Sequence, residues 1–130
     1  MNIIIPIEPR TKKNSQQLVK INGRLIPIPS KQYKAFEKAC ASYMPKMLKP
    51  ISKPVNVKCI YYMPTRRRVD LVNLQEATLD ILVKYAVLAD DNRSVVYAMD
   101  GSRVYHDKVV PRTEITIEPI KDKNIERWKE

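Results

Sequence analysis

The stretch VNVKCIYYM, residues 55–63, places Val55, Val57, Cys59, Tyr61 and Met63 at every second position. Successive side chains of a strand point to opposite faces, so this period of two specifies a β-strand with one face buried. An all-helical fold is excluded, and other elements must cover that face.

The next long segment has a helical period. From Asp70 to about Tyr85, Leu71, Leu74, Thr78, Ile81, Leu82 and Tyr85 share one side of a helical wheel. Asn73, Glu76, Asp80 and Lys84 fall within about 80° of one another on the other side. Asp70 is placed to cap this helix, since a carboxylate there can accept free backbone N–H groups.

The remaining segments divide in the same way. NIIIPIEP reads as an opening strand near a sheet edge, because Pro6 and Pro9 cannot donate to a ladder. Asn22 and Gly23 between apolar runs predict a hairpin with a type I′ turn. Ser30 is a cap for a helix over KQYKAFEKACASYMPKM, with Tyr33, Phe36, Cys40 and Tyr43 on its inner side and Pro45 ending or kinking it. RSVVYAM and RVYHDKVV read as strands joined by a hairpin turn at Asp100 and Gly101, with Ser102 and Arg103 also suiting a turn that faces DNA. RTEITIEPI is a further alternating strand. Hairpins mixed with two main helices imply an α+β fold with a mixed β-sheet.

At 130 residues the chain fits one domain, expected over residues 1–120, with residues 121–130 as a charged tail around Trp128. No apolar run approaches the roughly 20 residues of a membrane helix, and MNIIIPIEPR lacks the flanks of a secretion signal, so a cytoplasmic protein is expected. Cys40 and Cys59 both sit among apolar neighbours, which favours core thiols over a disulfide or a zinc site.

The formal charge of +10 is unevenly spread. Residues 1–69 carry fifteen Lys and Arg against Glu8 and Glu37, a net +13, whereas residues 70–130 carry nine bases and twelve acids, a net −3. A solubility surface would account for the total. A phosphate-binding surface beside a carboxylate site accounts for the boundary, which falls between Arg66, Arg67, Arg68 and Asp70.

The acidic face of the second helix could be ordinary solvated surface, with Glu76 and Asp80 repelling weakly at a spacing of four. Asp90 and Asp91 in the following loop favour a function, because oxygen ligands from several segments suit Mg²⁺ or Mn²⁺. Such ions lower the pKa of an attacking water and neutralise charge on a phosphodiester. His106 is the sole histidine and has no partner at metal spacing, so it is set aside.

MPTRRRVDLVNLQEATLDILVKYAVLADD resembles the core of the RusA family of Holliday junction endonucleases, small resolvases often carried by bacteriophages. The likeness lies in Met-Pro, the basic cluster, Asp-Leu-x-Asn-Leu, the helix Asp and the closing Asp-Asp, with KKNS, DGSR and PRTEI in support. It implies a homodimer that binds four-way DNA junctions and makes paired, metal-dependent cuts.

By position it implies Asp70 and Asp91 as catalytic acids with Asp90 beside them, and Asp80 as the helix Asp. These four with Glu76 form the expected Mg²⁺ or Mn²⁺ ligands. Expected DNA contacts are Lys12, Lys13, Asn14, Arg66, Arg67, Arg68, Asn73 and Arg103.

Two positions depart from the pattern: Val72 stands where well-known members have a further catalytic Asp, and Glu76 where they have a Lys. The expectation is a rearranged acidic site in which Glu76, Asp100 or Asp107 makes up the loss. The alternative is a catalytically weakened, structure-selective DNA-binding protein of the same fold. An RNA-binding or protein-interaction domain would use the basic half alone.

Overall fold

The computed structural model describes residues 1–12 and 16–127. Its strands are β1 (Asn2–Ile5), β2 (Gln16–Ile21), β3 (Arg24–Pro29), β4 (Val55–Met63), β5 (Val96–Ala98), β6 (Arg103–His106) and β7 (Arg112–Pro119). Its helices are α1 (Lys31–Cys40), α2 (Leu71–Lys84) and the short α3 (Lys123–Arg127). The fold is α+β with a mixed sheet, as the sequence implies.

β4 is the centre of a five-stranded sheet in the order β1-β7-β4, with β5 and β6 both on the far side of β4. β7 runs antiparallel to β1 and β4, while β5 and β6 run parallel to β4. Parallel strands need a long crossover, and α2 supplies it between β4 and β5. β1 lies at the edge, where the following Pro6 interrupts no ladder.

The alternation in β4 has its predicted effect: Val55, Val57, Cys59 and Tyr61 are buried, and Met63 is half-buried. Ile3, Ile5, Ile115 and Ile117 extend that apolar face, and Tyr33, Phe36, Leu74, Ala77, Ile81 and Leu82 cover it from α1 and α2. Tyr61 Oη lies 2.7 Å from Thr78 Oγ1, and that hydroxyl also donates to the Leu74 carbonyl at 2.9 Å. The helix is thereby keyed to the central strand by a buried polar link inside an apolar layer.

Cys40 and Cys59 are buried free thiols, and burial pushes both up, to about 12 and about 11. α1 begins at the predicted cap, where Ser30 Oγ accepts from the Tyr33 N–H at 3.1 Å. It stops at Cys40 and tightens into a 3₁₀ turn over Ala41–Tyr43. Pro45 disfavours helical backbone at Met44, which is extended.

The β2–β3 hairpin forms a separate two-stranded sheet, turning at Asn22 and Gly23 with φ of 50° and 79°. The hairpin expected at Asp100 and Gly101 does not exist. β5 and β6 instead follow one edge of β4 in the same direction, and residues 99–102 bulge out between them.

Side chains bridge the bulge. Asn56 donates to the Asp100 carbonyl at 3.1 Å and accepts its N–H at 2.8 Å, while Ser102 Oγ accepts the Cys59 N–H at 3.0 Å. Gly101 has φ 87°, and a Cβ there would meet Lys58 Cδ at 2.8 Å. Sequence reading takes Asp-Gly as a hairpin signal because both a hairpin turn and this bulge need positive φ.

Candidate active site and nucleic-acid interface

Asp70 occupies the N-cap position of α2, but its carboxylate makes no capping bond. Asp70 Oδ2 instead accepts from Asn73 Nδ2 at 3.2 Å, so an expected acid and an expected DNA contact are joined at the exposed start of the helix. Asp80 lies ten residues further on, roughly 15 Å along the axis.

The helix ends with Ala86 in the left-handed region at φ 58°, where Val87 N–H reaches back to the Leu82 carbonyl at 2.8 Å. Ile51 then pairs with the following segment, accepting the Ala89 N–H at 2.8 Å and donating to the Val87 carbonyl at 2.9 Å. These contacts fix the departure of Asp90 and Asp91. Asp90 spends both oxygens within its own loop, on the Asp91 N–H at 2.7 Å and on Asn92 Nδ2 at 3.1 Å.

Asp80 and Asp91 meet at a shallow recess of about 350 Å³, lined also by Lys12, Glu37, Val83 and Lys84. Glu37 was not among the expected ligands. Its signal was available, since it is one of two acids in the first 69 residues and follows Tyr33 by one helical turn.

Two ammonium groups already serve these acids. Lys12 Nζ lies 2.9 Å from Asp80 Oδ2, and Lys84 pairs with Glu37. Among the described residues no three His, Cys, Asp or Glu side chains form a group able to hold a metal ion. Carboxylate oxygens are hard donors of the kind divalent cations take, but the acids of this recess do not by themselves form such a group.

The other expected acids lie elsewhere. Asp70, Glu76 and Asp90 do not line the recess. Val72 is 61% exposed at the start of α2. Asp107 accepts from the Val109 and Val110 N–H groups at 3.0 and 3.1 Å and pairs with Arg112 at 2.9 Å. The Val110 N–H first, then Arg112, holds its carboxyl below the usual carboxylate range. Asp100 is anchored to Asn56 through its backbone.

A second recess, of about 260 Å³, lies against the basic segment, with Arg10, Thr11, Arg67, Arg68 and Glu8 among its lining residues. Arg66, Arg67 and Arg68 are all exposed. Thr11 lines this recess and Lys12 the other, so consecutive residues of one loop connect the arginine surface to the carboxylates. Arg10 and Thr11 were not singled out by the sequence. Lys13, Asn14 and Trp128 lie outside the described residues.

Arg103, at the edge, bonds the Gly101 carbonyl at 3.3 Å and the Tyr105 hydroxyl at 3.4 Å. His106 is exposed at the end of β6.

A mixed sheet backed by two helices, with a basic recess one residue away from a carboxylate recess, defines a small α+β domain suited to a polyanionic substrate. The chain belongs to the RusA endodeoxyribonuclease family, whose model matches residues 6–118. No curated protein matches it in sequence. Among the described residues no helix is long and apolar enough to cross a membrane.

Proposed function

We propose that this chain is a cytoplasmic endonuclease that resolves four-way DNA junctions by paired cuts in strands of like polarity. Family membership over residues 6–118 carries the reading. The meeting of Asp80 and Asp91 beside the loop that leads to Arg67 and Arg68 supports it. In this reading the arginines hold backbone phosphates, and Lys12 lies between them and the reacting position.

Mg²⁺ or Mn²⁺ belongs to the proposal because the acids offer hard oxygen donors. Lys12 and Lys84 would have to leave Asp80 and Glu37 before those carboxylates could take a cation. A homodimer is proposed because two-fold symmetry presents equivalent groups to opposed strands.

The test is cleavage of a synthetic four-way junction, with and without Mg²⁺, by wild type, Asp70→Asn, Asp91→Asn and Glu76→Gln. Mg²⁺-dependent paired cutting that is lost in the two Asp variants is expected. Full activity in all three variants would overturn the assignment, and loss confined to the first two would remove Glu76 from it.

A second reading is a junction-binding protein that cuts weakly or not at all. Exposed Val72 favours it, as do the lysines paired to Asp80 and Glu37. It predicts tight junction binding with no Mg²⁺-dependent product.

A further inference from the structure

The face of the sheet opposite the core carries an aromatic cluster at the C-terminal end of β4. Tyr62 stands in register with Tyr105 on β6 and with Arg112 on β7, so the three side chains share one face. The two rings have centroids 5.7 Å apart and are tilted by 46°. The Arg112 guanidinium carbon lies 3.7 Å from the centroid of the Tyr62 ring.

Arg112 is rigidly held. It pairs with Asp107 and Glu114, each at 2.9 Å, and donates to the Val110 carbonyl at 2.8 Å. With two carboxylates answering its charge, its flat face serves Tyr62 as a stacking partner rather than as a phosphate ligand. Arg103, in register with Ile60 on the same face, hydrogen-bonds the neutral oxygens of Gly101 and Tyr105 and makes no ion pair among the described residues, so its charge is available there to an anion.

Tyr105 is 46% exposed and has no part in the core. A fixed guanidinium, a half-buried ring and an exposed ring thus make a graded platform with a cation at its side. The exposed Arg66, Arg67 and Arg68 follow Tyr62 by four residues in sequence and add to the positive charge at this end of β4.

We infer that Tyr62, Tyr105 and Arg112 form a stacking platform for an unpaired nucleobase, with Arg103 holding a neighbouring phosphate. Bases present a π-face only when unstacked, and aromatic side chains bind that face with little regard to sequence. A duplex offers none along its length, whereas a single strand or an opened branch point does. A second copy of the chain is a poorer occupant. Two rings of roughly 150–250 Å² each fall short of the roughly 800 Å² per partner of a stable interface, and charged side chains surround them here.

The inference rests on the DNA-acting reading and specifies which part of the substrate this face meets. The test uses the intact chain, a fluorescent oligothymidylate and a blunt duplex of equal length, with affinity read by anisotropy in low salt. Tyr105→Ala should weaken oligothymidylate binding by about five- to a hundredfold, the range expected for losing one base stack. Tyr105→Phe, which keeps the ring, should stay within about twofold of wild type, and duplex affinity should not change.

Equal oligothymidylate affinity for wild type and Tyr105→Ala would overturn the platform, as would an equal loss toward both ligands. A shift in oligomeric state on Tyr105→Ala, read by sedimentation, would assign the face to a second copy instead. Junction cleavage is scored separately: its absence with intact oligothymidylate discrimination sinks the nuclease reading alone, and its presence without discrimination sinks the platform alone.

Discussion

Lys12 Nζ sits 2.9 Å from the carboxylate of Asp80, in the recess that also receives Asp91. Both side chains are about two-fifths exposed, so the pair is screened and contributes at most about 1 kcal/mol to folding. On the proposed metal-dependent reading its larger consequence is competitive, because the ammonium occupies the place a divalent cation on Asp80 would take. Lys12→Ala should bind Mn²⁺ more tightly than wild type in a calorimetric titration, with little change in unfolding midpoint. Unchanged Mn²⁺ affinity would remove Asp80 from any cation site.

Arg67 and Arg68 face the recess that Lys12's neighbour Thr11 also lines. If each holds one phosphate, Arg67→Ala and Arg68→Ala should each reduce the slope of log affinity against log salt by about 0.9. The loss should be similar for junctions of different sequence, since phosphate contacts carry no base information. A salt slope equal to wild type would show that the side chain does not touch the backbone.

The Tyr61–Thr78 link makes an asymmetric prediction. Tyr61→Phe leaves Thr78 still donating to Leu74 and should cost about 1 kcal/mol. Thr78→Val leaves the buried phenol only the weakly bonding Cys59 thiol and should cost more, about 1–3 kcal/mol, when unfolding is followed in urea. The reverse order would mean that the phenol finds another partner.

Alkaline pH should destabilise the fold from about pH 9 upward. Burial raises Cys40 to about 12 and Cys59 to about 11, and it raises the Tyr33 and Tyr61 phenols well above their ordinary value. A raised folded-state pKa gives stability that is complete below the unfolded value and is lost as pH climbs toward the folded one. Each thiol should therefore remove about 1.4 kcal/mol per pH unit between its unfolded and folded values. Urea midpoints from pH 7 to 10.5 check this. A flat profile above pH 9 would show that the thiols ionise within the native state.

The sheet centre and α2 were legible because their periods run long enough to be unambiguous: nine residues of alternation in β4 and fourteen of helix in α2. The α1 cap and the Asn22-Gly23 turn were legible because their chemistry is local. The edge formed by β5 and β6 was not, because Asp100-Gly101 signals positive φ without saying whether the chain reverses. Only the pairing of both short strands with β4 decides that, and pairing is long-range.

The sequence names candidate acids but not their arrangement. Asp80 and Asp91 meet because Ile51 holds the segment that follows α2, and Glu37 joins them from α1 through packing that no single-sequence pattern encodes. Asp70 matched a capping signal, yet its carboxylate went to Asn73, because spacing specifies the cap position and not the bond made there.

Ala86 offers a prediction independent of function. It holds φ 58° at the end of α2, in a closing turn where Val87 N–H bonds the Leu82 carbonyl. An L-residue there pays roughly 1–2 kcal/mol for contact between its Cβ and the following carbonyl. Glycine removes that contact but loses more entropy on folding, about 0.5–1 kcal/mol. Ala86→Gly should therefore stabilise the protein by up to about 1.5 kcal/mol in urea unfolding. Because this turn launches the segment bearing Asp91, cation affinity should hold within about twofold if the loop keeps its path. A destabilised variant would show that the Ala86 methyl makes packing contacts worth more than the backbone strain it causes.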